Sequence, residues 1–107
     1  MKEISTLEAF KLLENQTLLV DVREKDELAN VSYAVENQLN IPMSEFEERF
    51  SEIPNDKIVI VACKAGVRSA NAIQFLIRNG YSEELLINLE GGIMAWEYNG
   101  LQIKNNL

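Results

Sequence analysis

The run Ile58-Val59-Ile60-Val61-Ala62 constrains the fold of this chain more than any other stretch. It is apolar throughout, rich in β-branched side chains and too short for an ordinary helix, so it reads as a buried strand. Residues 69–78 follow as a helix that stops at Asn79-Gly80. Between the two lies Cys63-Lys64-Ala65-Gly66-Val67-Arg68, which contains the only cysteine of the chain. That cysteine sits where a strand hands over to a helix, and in a parallel α/β sheet this is the carboxyl edge, where ligands bind. Backbone N–H groups of a tight loop and the positive end of a helix can hold an anion there. The same field lowers a thiol's pKa, with Lys64 and Arg68 acting in the same direction. Cysteines at strand ends are more often small buried hydrophobes. Gly66 and two cations within five positions of the sulfur set this one apart, and Cys63 is the candidate nucleophile.

The rest of the chain alternates strand and helix. Ser5-Thr6-Leu7-Glu8 has the form of a capping box and opens a short helix ending near Asn15. Leu18-Leu19-Val20-Asp21-Val22 reads as a buried strand, and 24–29 as one or two helical turns. Residues 30–38 show no firm periodicity and read as loop; Leu39-Asn40-Ile41 is a short strand closed by Pro42. Ser44-Glu45-Phe46-Glu47 repeats the capping-box form, with Phe46 and Phe50 paired on a helix running to about Glu52. Leu85-Leu86-Ile87-Asn88 is a further strand, Gly91-Gly92 opens a last helix, and 104–107 reads as a frayed tail. Such alternation implies βαβ units and a mainly parallel sheet. The strand ends at Asp21-Val22-Arg23, Cys63 and Asn88-Leu89-Glu90-Gly91-Gly92 then converge on one edge.

At 107 residues the chain is expected to be one domain with a single core. Ten Lys and Arg stand against 17 Asp and Glu, a net charge of −7, which argues against nucleic acid or an anionic membrane as partner. Lys64 and Arg68 make a local positive spot on that background, suited to a small anionic ligand. A lone cysteine permits no internal disulfide and no resolving thiol, so an adduct on Cys63 must be discharged from outside. The absence of histidine removes Cys-His pairs, Ser-His-Asp triads and the usual zinc sets, so no metal or cofactor is expected. With no signal-peptide pattern and no apolar run of about 18 residues, cytoplasmic residence is the expectation.

Four segments together resemble the single-domain rhodanese-like proteins: Asp21-Val22-Arg23-Glu24, Asn40-Ile41-Pro42, Cys63-Lys64-Ala65-Gly66-Val67-Arg68-Ser69, and Leu89-Glu90-Gly91-Gly92 followed by Trp96. The resemblance implies a three-layer α/β fold, a five-stranded parallel sheet flanked by helices on both faces. It also implies sulfur transfer from a small anionic donor such as thiosulfate to a thiol or cyanide acceptor, or from a persulfide-carrying protein. Carried over by position, Cys63 is the sulfur carrier and the amides from Lys64 to Ser69 cradle the outer sulfur. Arg68 either neutralises the donor or pairs with a carboxylate to brace the loop. Lys64 either attracts the donor or is simply solvated. Asp21 and Arg23 support the loop through hydrogen bonds, and Gly91, Gly92 and Trp96 serve packing. The chain departs from the family between Glu27 and Gln38, where the usual Gly and His are missing. Two other functions fit less well. Cysteine-dependent phosphatases and arsenate reductases hold one residue more between Cys and Arg than the four here, Lys64 to Val67. A non-catalytic interaction or sulfide-sensing module has no need of an intact Cys63.

Overall fold

The side chains of Val59–Ala62 divide by parity: Val59 and Val61 enter the core on one face of a sheet, Ile60 and Ala62 on the other, all fully buried. This is the two-residue period of a strand packed on both sides. The computed structural model describes residues 1–107. In chain order the elements are β1 (Lys2–Ile4), α1 (Thr6–Glu14), β2 (Leu18–Asp21), α2 (Lys25–Asn30), β3 (Val31–Tyr33) and β4 (Gln38–Asn40). They continue as α3 (Phe46–Arg49), β5 (Val59–Ala62), α4 (Val67–Arg78), β6 (Leu86–Leu89), α5 (Gly92–Tyr98) and β7 (Ile103–Asn105).

Five strands form one sheet in the order β1-β6-β5-β2-β4, with every neighbouring pair parallel. Phe46 of α3 and Ala72, Ile73 and Leu76 of α4 cover one face; Ala9 and Leu13 of α1 with Ile93 and Trp96 of α5 cover the other. The expected three-layer α/β architecture is the one observed. No helix is long and apolar enough to cross a membrane.

Ser5 caps α1 as its sequence predicts, accepting the Glu8 N–H at 3.2 Å while the Glu8 carboxylate accepts the Ser5 N–H at 3.3 Å. The second capping box does not form. Ser44 instead donates its hydroxyl to the Glu24 carboxylate at 2.6 Å, because a charged acceptor from another element outcompetes a local cap. The expected helix over this stretch is correspondingly broken into α3 between two 3-10 turns, Met43–Glu45 and Phe50–Glu52. Phe46 and Phe50 meet through Phe75 of α4, with ring centroids 5.6 and 5.1 Å away.

Two further expectations are corrected. Residues 30–38 are not simply loop and the tail is not frayed, since β3 and β7 pair antiparallel, Tyr33 opposite Ile103 and Val31 opposite Asn105. Asn106 adds a hydrogen bond from its N–H to the Asn30 carbonyl at 2.9 Å. β1, which the sequence did not flag, forms an edge of the main sheet beside β6.

Candidate active site

Cys63 follows β5 directly, and α4 begins four residues later with Gly66 as its N-cap at φ +104°. Glycine adopts that left-handed conformation without a Cβ penalty. The turn points the Gly66 N–H back at Cys63 Sγ, 3.1 Å away. Ser69, buried in the first turn of α4, places its hydroxyl 3.3 Å from the same sulfur.

The loop's carbonyls are engaged on the outside. The Cys63 carbonyl accepts the Tyr33 hydroxyl at 3.0 Å and the Ile93 N–H at 3.0 Å; the Lys64 carbonyl accepts the Met94 N–H at 3.1 Å. Ile93 and Met94 lie in the first turn of α5, whose N–H groups have no partner inside the helix. The Cys63 loop and the helix end thus satisfy each other. Gly92 sits at this contact with φ +57°, and a Cβ there collides with the carbonyls of Cys63 and Lys64. The Gly66 carbonyl accepts Asn88 Nδ2 at 3.1 Å, and Asn88 Oδ1 accepts the Ser69 hydroxyl at 2.5 Å. With its carbonyls held outward, the loop turns its N–H groups toward the sulfur.

Cys63 is only 1% exposed. Burial pushes its thiol pKa up, but hydrogen bonds from the Ser69 hydroxyl and from the backbone N–H groups of Ser69, Gly66 and Ala65 outweigh it, and the pKa lies below the ordinary cysteine value. The sulfur is therefore biased toward the thiolate without an imidazole.

The cations are placed differently from one another. Lys64 is exposed and takes part in no ion pair. Arg68 donates from both terminal nitrogens to Glu27 of α2, at 2.7 and 2.9 Å. This hydrogen-bonded pairing holds the Glu27 carboxyl below the usual carboxylate range and raises the Arg68 pKa further. Ala65 and Val67 are exposed at the loop's outer surface.

Asp21 and Arg23 form a buried pair of their own. Arg23 Nη2 lies 2.8 Å from Asp21 Oδ2, and Arg23 Nη1 donates to the Val31 carbonyl at 3.1 Å. Neither hydrogen-bonds to residues 63–69. Their connection to the site runs through Tyr33, whose ring centroid is 5.5 Å from Arg23 Cζ and whose hydroxyl holds the Cys63 carbonyl. Trp96 packs edge-on against Tyr33, with ring centroids 5.4 Å apart. Sequence reasoning overlooked Asn88, Glu27 and Tyr33 as site residues. Asn88 carried a signal, a polar side chain in an otherwise apolar strand. The other two had none, because their partners are distant in the chain.

Comparison with known proteins agrees with this geometry. The family model described as "Rhodanese-like domain" matches residues 5–99. A sulfurtransferase of Allochromatium vinosum is 41% identical over 86 residues, covering 80% of this chain and 77% of its own. The thiosulfate sulfurtransferase GlpE of Coxiella burnetii is 31% identical over 97 residues, covering 90% and 87%. The crystal structure of a rhodanese-related protein from Thermoplasma volcanium superposes with a TM-score of 0.83 at 32% identity, over 97% of this chain and 98% of the other. Sequence match and fold agree along almost the full length, and the chain belongs to the rhodanese-like domain family.

Proposed function

We propose that this protein is a sulfurtransferase that takes a sulfane sulfur from an anionic donor such as thiosulfate, carries it as a persulfide on Cys63 and delivers it to a thiol or cyanide. The observation that carries this reading is the placing of two hydrogen-bond partners against a single sulfur, the Gly66 N–H at 3.1 Å and the Ser69 hydroxyl at 3.3 Å. Relatives named sulfurtransferase and thiosulfate sulfurtransferase support it.

The Cys63 thiolate attacks the outer sulfur of thiosulfate. The S–S bond of the donor breaks, its electron pair leaves on sulfite, and Cys63–S–S⁻ remains. Amides between Lys64 and Ser69 hold the outer sulfur's charge as an oxyanion hole holds an acyl intermediate, each fixed donor contributing about 2–4 kcal/mol in a favourable case. A second thiolate or cyanide then attacks the outer sulfur and releases the Cys63 thiolate. No general base is needed, which suits a chain without histidine. Arg68, committed to Glu27, braces the α4 end of the loop against α2. That commitment, with only four residues between Cys63 and Arg68, also disfavours phosphate as the ligand.

Incubating the reduced protein with thiosulfate at neutral pH should add about 32 Da, one sulfur atom, to the Cys63 peptide, with sulfite released in equal amount. Cys63→Ser should abolish both. Absence of an adduct with every one of several sulfane donors overturns the reading.

A further inference from the structure

The approach to Cys63 carries less positive charge than two neighbouring cations promise. Glu27 binds both terminal nitrogens of Arg68 and also accepts the Glu24 N–H at 3.2 Å, so its carboxylate is fixed from two elements. The hollow beside the loop, about 230 Å³, is lined by Arg23, Glu27, Lys64, Met94 and Glu97 among others. Arg23 is neutralised by Asp21 and Arg68 by Glu27. Lys64 and Glu97, both exposed and neither in an ion pair, line the hollow with opposite charges. The six charged residues Asp21, Arg23, Glu27, Lys64, Arg68 and Glu97 therefore sum to zero, on a chain whose net charge is −7. An entering donor is attracted chiefly by the loop amides. Attraction to dipoles and repulsion from the chain both grow in proportion to donor charge, whereas the cost of stripping water grows more steeply. A second negative charge is then a handicap.

We propose that Glu27 is a specificity-determining residue that, by cancelling Arg68, tunes the Cys63 loop toward sulfane donors bearing one negative charge rather than two. The proposal rests on the sulfur-transfer reading above. Two donors of nearly the same shape separate the cases: thiosulfate, a dianion that leaves as sulfite, and methanethiosulfonate, a monoanion that leaves as methanesulfinate. In each the Cys63 thiolate forms the new S–S bond while the old one breaks onto the leaving group, so no oxidant or reductant is required.

The experiment measures kcat/KM for persulfide formation with both donors on the full chain, each divided by that donor's rate with free cysteine. Wild type should favour the monoanion. Glu27→Gln should raise the thiosulfate value by about fivefold, the scale of one partly exposed ion pair, through KM, with a much smaller change for methanethiosulfonate. Glu27→Asp, which keeps the charge, should retain the wild-type ratio even if its shorter side chain lowers both rates. A fall for both donors in Glu27→Gln, or an equal change for both, overturns the role of Glu27 while leaving sulfur transfer intact. Failure of wild type to load from either donor overturns the sulfur-transfer reading itself.

Discussion

The Ser69 hydroxyl has one proton and two acceptors, Cys63 Sγ at 3.3 Å and Asn88 Oδ1 at 2.5 Å. Either atom of the Cys63–Ser69 contact can donate, and while Ser69 donates to Asn88 the thiol S–H is the proton left for that contact. Once the sulfur ionises, the Ser69 proton serves it by turning. Sulfur loading should therefore rise with pH through a thiol pKa below that of free cysteine and then level off, and Ser69→Ala should move the rise to higher pH. Ultraviolet titration of the thiolate checks this cleanly, since no second cysteine contributes. The sign for stability is the same: a depressed acid pKa adds stability above the unfolded value and loses it as pH falls through the folded one. The Asp21–Arg23 pair is the other residue-scale test. Arg23→Met leaves the buried Asp21 carboxylate with no counter-charge, held only by the backbone N–H of position 23, and should cost about 3–5 kcal/mol in denaturant unfolding, much of it recovered when Asp21 is also made apolar. Cys63 to Ser69 were legible because they are consecutive and of telling type. Glu27 and Tyr33 were not, because each acts on the loop through space, across 41 residues for Glu27 to Arg68 and 30 for Tyr33 to Cys63, and Asn88 showed only as a polar side chain in an apolar strand.

α5 is only seven residues long, yet its first-turn N–H groups set the posture of the Cys63 loop. Gly92→Ala should lose about 2–3 kcal/mol from a strained positive φ and the collision with the loop carbonyls, and should slow sulfur loading along with it. Thermal unfolding and single-turnover loading together check both effects. At this scale the sequence was most informative for elements packed on two sides. The β5 run and the α4 helix carry unbroken local patterns. Of the four three-residue strands only β4 announced itself, one residue out of place: Val31-Ser32-Tyr33 and Ile103-Lys104-Asn105 mix polarity, and Lys2-Glu3-Ile4 is mostly charged. What makes them strands is a partner elsewhere in the chain.

Across the whole molecule, the β3–β7 pair ties the last residues to Tyr33 and hence to the Cys63 carbonyl. Ile103 packs on the core beneath α1 and α5, and Trp96 Nε1 donates to the Gln102 carbonyl at 2.9 Å. Removing 103–107 should lower stability by about 1–3 kcal/mol, the scale of one partly buried Ile and a few hydrogen bonds. The single Trp reports the change by fluorescence. The opposite end of the chain has a similar reach. Glu3 on the edge strand β1 accepts Asn88 Nδ2 at 3.0 Å, and the same amide grips the Gly66 carbonyl. An affinity tag fused ahead of Met1, or a protease that trims the leading residues, can therefore alter the sulfur's reactivity from a distance. Preparations of the protein that differ only in what stands ahead of Lys2 should not be treated as interchangeable.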